Sequence, residues 1–173
     1  YFSHLSGWSN TYVNFEMDAP VEIAIARTNG QPIRKATVRP HRHAQSCRVR
    51  NGRAYFTLEQ PGLVAVDIDG PPIHTLTIFA NPILVDRPEP NSPGVLAVMP
   101  GQKTPSEGPW KTLYFLPGVH DIGAGFPVHA NKQYYIPGDA VVHGTLTNHA
   151  WGDGHDIRIF GYGTLSGERL AHP

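Results

Sequence analysis

The residues that could do chemistry in this chain are mainly its carboxylates. Asp121, Asp139, Asp153, Asp156 and Glu168 all fall in the last third. Asp153 and Asp156 are the closest pair, set in the run His149-Ala150-Trp151-Gly152-Asp153-Gly154-His155-Asp156. Two carboxyl groups can hydrolyse a glycosidic bond when they face each other across it, about 5–5.5 Å apart for retention or about 6.5–9.5 Å for inversion. A tryptophan beside them offers a flat apolar face with a polar edge, which suits stacking on a pyranose ring. The plainer reading of the same residues is a solvated turn whose Asp side chains bond the local backbone. We take the plainer reading for catalysis and assign no catalytic residue. His149, Trp151 and Asp153 stand as candidates for carbohydrate binding.

Ten histidines raise the question of a metal. On a strand, His41-x-His43 would put both imidazoles on one face, but no neighbouring Cys or carboxylate cluster completes a tetrahedral site. His120, His129, His143, His149 and His155 are dispersed and suit surface ladders or hydrogen bonds to turns. Asp153-Gly154-His155-Asp156 is too short to supply the roughly 6–8 oxygens that Ca²⁺ takes. Gly161-Tyr162-Gly163 lacks the third glycine of a dinucleotide loop, and no phosphate-binding loop is present. There is no Gly-x-Ser-x-Gly nucleophile elbow either. No metal and no cofactor is expected. Cys47, the single cysteine, cannot pair within the chain and reads as a small residue in or near a strand.

The elements that must position these residues are strands. The 173 residues carry 18 glycines and 17 prolines, and charged residues make up only 16% against a usual ~25%. That composition excludes a helical bundle or coiled coil. The net charge of zero argues against a nucleic-acid module. No apolar run approaches the ~20 residues that span a bilayer, so no membrane partner is expected. Residues 12–17, 21–27, 54–58, 63–68 and 75–80 alternate polar and apolar side chains, and turn signals such as Asn29-Gly30, Asn51-Gly52 and Asp69-Gly70-Pro71-Pro72 separate them. Short alternating strands with such turns predict an antiparallel sandwich. Residues 81–110 are punctuated by proline, which removes backbone donors, so little regular sheet is expected there. Farther on, Tyr114-Phe115-Leu116-Pro117-Gly118 recurs as Tyr134-Tyr135-Ile136-Pro137-Gly138, offset by 20, and Ile157–Gly163 makes a related run. Repeats of this length predict stacked coils, with Tyr114 over Tyr134, Phe115 over Tyr135 and Leu116 over Ile136. Trp110 reads as a plug at the junction between the sandwich and the stacked coils.

Tyr134–Gly144 resembles the strand, Pro-Gly, Ala-x-Val-x-Gly coil of pectinase-like right-handed parallel β-helices, and Asp156–Glu168 looks like the Ile-x-Gly-x-Gly-x-Leu-x-Gly coil that follows it. With the form Leu165-Ser166-Gly167-Glu168 and a sandwich ahead of it, the chain is most similar to glycoside hydrolase family 49, the dextranase and isopullulanase family. The polygalacturonase-like family 28 usually has Asp at the place of Ser166 and matches less well. The resemblance implies an all-β chain in three parts. Residues 1–85 form an antiparallel β-sandwich, 86–110 a Pro/Gly-rich connector, and 111–173 the first coils of a right-handed parallel β-helix. It further implies a secreted or periplasmic hydrolase of an α-glucan or similar polysaccharide. The family's catalytic acids lie on coils downstream of this chain. Those coils, or another chain, are the expected partner at its C-terminal end. The chain alone is therefore expected to be inactive. A non-catalytic carbohydrate-binding or structural module is the alternative. A polysaccharide lyase of similar fold, with a basic residue and often Ca²⁺ in its cleft, is a third reading.

Overall fold

A computed structural model describes residues 11–70, 75–148 and 154–170, with the side chains of 43–46 excepted. The chain is all-β, built from several sheets, and no helix among the described residues is long and apolar enough to cross a membrane. It divides into two compact units, with the boundary between Ile83 and Leu84.

The first unit holds β1 (Thr11–Met17), β2 (Val21–Ile25), β3 (Ala36–Arg39), β4 (Ala44–Arg50), β5 (Arg53–Leu58), β6 (Gly62–Ile68) and β7 (Thr75–Pro82). They form two sheets, β1-β7-β6-β3 and β2-β5-β4. Alternation sets which residues enter the core. In β5, Ala54, Phe56 and Leu58 are buried while Arg53 is exposed; Val64 and Val66 of β6 and Ile78 and Ala80 of β7 are buried likewise. These side chains, with Met17, Ile25, Ile33 and Val38, form one cluster drawn from both sheets. A fully buried side chain of this size contributes about 1.5–3 kcal/mol.

The expected antiparallel pairing fails at one place: β1 runs parallel to β7, from Thr11 opposite Leu76 to Met17 opposite Pro82. Hairpins force antiparallel neighbours, whereas strands separated by the rest of a unit can pair either way. His41–His43 form a 3₁₀ turn rather than the strand on which a shared face was expected. Cys47 sits half-buried in β4, and burial raises its thiol pKa.

The second unit holds β8 (Val95–Val98), β9 (Thr112–Phe115), β10 (Gly118–Pro127), β11 (Gln133–Tyr135), β12 (Ala140–Thr147), β13 (Arg158–Phe160) and β14 (Thr164–Ser166). Every strand pair in it is parallel. One sheet has the order β13-β11-β9-β8 and the other β10-β12-β14. β8 lies inside the proline-rich stretch where little sheet was expected. Its prolines flank the strand and leave Val95–Val98 free to pair with Thr112–Phe115.

The register differs from the motif alignment by one residue. Tyr134 pairs with Leu113 and Tyr135 with Tyr114, an offset of 21 rather than 20. The core explains the slip. Leu113, Phe115, Tyr134 and Ile136 belong to the buried cluster, whereas Tyr114 and Tyr135 point to the other face. Aligning the two motifs at 20 would set an outward tyrosine on an inward one, and a slip of one residue flips every side chain. The next step, Tyr135 to Phe160, is 25 residues rather than the expected 23.

Tyr134 anchors the core. Trp110 and Phe126 meet its ring edge-on, at 5.8 Å and 6.5 Å between centroids. Its hydroxyl accepts the His129 N–H at 3.0 Å. Trp110 is buried here under the Lys132 ammonium, 4.3 Å from the ring centroid. On the opposite face, Tyr114, Tyr135 and Phe160 follow one another with tilted rings, their centroids 4.9 and 5.1 Å apart.

Candidate functional site

His149, Trp151 and Asp153 lie outside the described residues. On the near side of that segment, the amide of Asn148 reaches within 2.2 Å of the place a Gly154 Cβ would take. His155 and Asp156 pair with each other at 3.1 Å, both well exposed.

The structure gathers a different polar cluster, on the sheet of β10, β12 and β14. Asp121 of β10 is in register with His143 of β12, which is in register with Ser166 of β14. Alternation turns this column away from the core, because the preceding column, His120, Val142 and Leu165, faces inward. Two residues past Ser166, Glu168 comes back over the column with Oε1 3.5 Å from His143 Nδ1, and Arg169 brings a guanidinium nitrogen 3.7 Å from Asp121 Oδ2. Asp121 also accepts the Gly123 N–H at 2.9 Å, and Ser166 Oγ accepts the Glu168 N–H at 3.3 Å.

His143 is the centre of this cluster. It is only 5% exposed although it points outward, and its Nδ1 has no hydrogen-bond partner among the described residues. The close approach of the rungs is what buries it. Gly144 beside it has φ +138, and a Cβ there would fall 2.3 Å from the Gly123 carbonyl oxygen. Only glycine lets β10 and β12 close at this point.

The histidines were expected in surface ladders or bonded to turns; neither His120 nor His143 is in a surface ladder, and His120 takes the second role. His143 is covered, and His120 is buried in the core, donating from Nε2 to the Leu116 carbonyl at 2.7 Å and meeting Phe115 edge-on. Neither the sequence spacing nor a motif marks the Asp121–His143–Ser166 column, since its members are 22 and 23 residues apart.

Neither a protein-family model nor a curated protein matches the chain.

Chemically, the cluster has two half-exposed carboxylates on either side of a buried imidazole. Two strand steps of about 4.8 Å separate the Asp121 and Ser166 backbones by about 9.6 Å. Each carboxylate already faces a nitrogen group, Asp121 the Arg169 guanidinium and Glu168 the His143 ring. No hydrogen bond joins Ser166 to His143 among the described residues. The arrangement suits hydrogen bonding to hydroxyl-rich ligands. The stacked tyrosines do not offer a sugar platform, because Tyr114 and Tyr135 are buried.

Proposed function

We propose that the chain is the N-terminal part of a secreted, polysaccharide-degrading glycoside hydrolase of the family 49 kind. In this reading a β-sandwich is followed by the first coils of a right-handed parallel β-helix, and the catalytic carboxylates ride on later coils. The Asp121–His143–Glu168–Arg169 strip would meet glycan hydroxyls on the outer face of the early coils.

The supporting observation is the way the inward columns end. Leu113 and Tyr134 are 0% and 1% exposed, but Ile159, next in the same column, is 48% exposed. His120 and Val142 are 1% and 0% exposed, while Leu165, next in theirs, is 43% exposed. Each coil of a solenoid buries its face only against its neighbours. A further coil over β13 and β14 is the occupant that would bury both columns, with another chain as the other expected cover.

The second reading, a non-catalytic carbohydrate-binding or structural module, is favoured by the nitrogen groups already facing Asp121 and Glu168. Reducing-sugar release from dextran, pullulan and pectin separates the two. The 173-residue chain alone should release none, and the native protein purified from its source should release oligosaccharides. A native protein whose intact mass corresponds to 173 residues, and which binds a glycan without cleaving it, would replace the hydrolase with the module. Release by the 173-residue chain itself would place catalysis within these residues and overturn the assignment to later coils.

A further inference from the structure

The chain has no net charge, yet one end of its first unit is strongly basic. Three cations, Arg27, Arg34 and Lys35, line one cleft there, and the β4–β5 turn that carries Arg50 and Arg53 lies against the same segment. The folding of the turns explains the convergence. Ile25 pairs with Ala54, so β2 runs out beside the β4–β5 hairpin, where Arg50 pairs with Arg53 across Asn51-Gly52. The Ile33 N–H donates to the Gly52 carbonyl at 2.9 Å, which seats the 31–35 segment on that hairpin.

Asp69 holds this segment in shape. Its Oδ1 accepts the N–H groups of Arg34 and Lys35 at 2.8 and 2.6 Å, and its Oδ2 pairs with Arg27 at 3.0 Å. Its own N–H donates to the Lys35 carbonyl at 3.0 Å. These amides, that of Lys35 foremost, hold the Asp69 carboxyl below its ordinary pKa. The other local acid, Asp67, is taken up by Arg39 at 2.7 Å and by the Thr75 hydroxyl at 2.9 Å. The side chains of Arg34, Lys35, Arg50 and Arg53 are left exposed, with no ion-pair partner among the described residues. Beside them opens a cleft of about 850 Å³, bordered by Arg27, Gln31, Arg34, Lys35, Thr37 and Asp69.

We infer that this cleft binds the anionic groups of an acidic polysaccharide, its carboxylates or sulfates seated on Arg34 and Lys35. A guanidinium fork and an ammonium on a pre-shaped segment suit such oxyanions. Gln31 and Thr37 add hydrogen-bonding partners for sugar hydroxyls. A nucleic acid fits the site less well. Among the described residues no aromatic side chain lines the cleft for base stacking. The inference concerns the first unit alone and stands whether or not the second unit belongs to a hydrolase.

The test is calorimetric titration of the full 173-residue chain, at low salt, with polygalacturonate, dextran sulfate, neutral dextran and a DNA duplex. Polygalacturonate or dextran sulfate should bind, and which one binds identifies carboxylate or sulfate as the anion. Arg34→Gln/Lys35→Gln should weaken that binding about tenfold, and neutral dextran should not bind at this site. Lys103→Gln/Lys111→Gln removes the same charge from the second unit and should leave binding unchanged. Both variants alter exposed side chains, and an unchanged circular dichroism melt checks that they fold. Equal losses in the two variants, tighter binding of DNA than of either glycan, or no binding of any anionic polymer would each overturn the inference.

Discussion

Leu113 and Ile159 occupy one inward column two rungs apart, so truncating each to alanine measures how that column ends. Leu113 is fully buried between β8 and β11 neighbours. Leu113→Ala should cost about 2–5 kcal/mol, the lost transfer energy plus the cavity left behind. Ile159 is 48% exposed. About half of a 1.5–3 kcal/mol burial term is at stake there, and the open side leaves no closed cavity, so Ile159→Ala should cost only about 1 kcal/mol. Native-state hydrogen exchange of the β9 and β11 amides reads the second unit without interference from the first. In the 173-residue chain, protection should fall severalfold more for Leu113→Ala than for Ile159→Ala. In a protein whose further coils cover β13, the two losses should become equal. Equal losses already in the 173-residue chain would mean that Ile159 is covered, and the argument from the open end would fail.

Three other outcomes follow from the same geometry. Gly161 has φ +110, and a Cβ there would lie 2.0 Å from the Ile136 carbonyl oxygen, so Gly161→Ala should cost more than ~2 kcal/mol. Gly30 has φ +74 with open space around it, so Gly30→Ala should cost only the backbone strain of about 1–2 kcal/mol; urea midpoints of the two variants check both. Asp69 is held below its ordinary value of 3.8, so its contribution is present above that pH and is lost as pH falls below it. Asp69→Asn should remove this acid-side loss from the first unit's denaturation profile. Burial raises the Tyr134 phenol above its ordinary value of 10, opposed by the His129 N–H bond, so its stabilising effect is lost as pH rises past that value. Tyr134→Phe should flatten the alkaline loss while costing about 1–3 kcal/mol at neutral pH, where it leaves the His129 N–H unpaired.

The strands easiest to read in the sequence are those with one face in the core. Val21–Ile25 and Ala54–Leu58 alternate because every second side chain enters the shared cluster. β4 is hard to read because Cys47 and Val49 are its only sizeable apolar residues; the strand exists through its pairing with β5. β8 is hidden by the prolines on either side, which say where a strand cannot extend but not that a four-residue one is excluded. The repeat at Tyr114 and Tyr134 is legible, but its register is not. Register follows the inward parity of Leu113 and Tyr134, and parity is decided by packing. The polar column and the basic end are the least legible features. Both are made by strand offsets and turn contacts that bring together separate stretches of the chain, and the offsets between rungs vary from 17 to 25 with the length of each connection.

The proposed hydrolase function rests on coils stacked in parallel, and one distance tests that directly. Val119, Val141 and Thr164 form an outward column on β10, β12 and β14, so Val119 and Thr164 lie two strand steps apart, about 9.6 Å between backbones, across 45 residues of chain. Spin labels on Val119→Cys and Thr164→Cys, in a Cys47→Ser background, should show strong dipolar broadening in the frozen full-length chain. Unbroadened spectra, indicating a separation of many strand spacings, would contradict the parallel stack and the reading built on it.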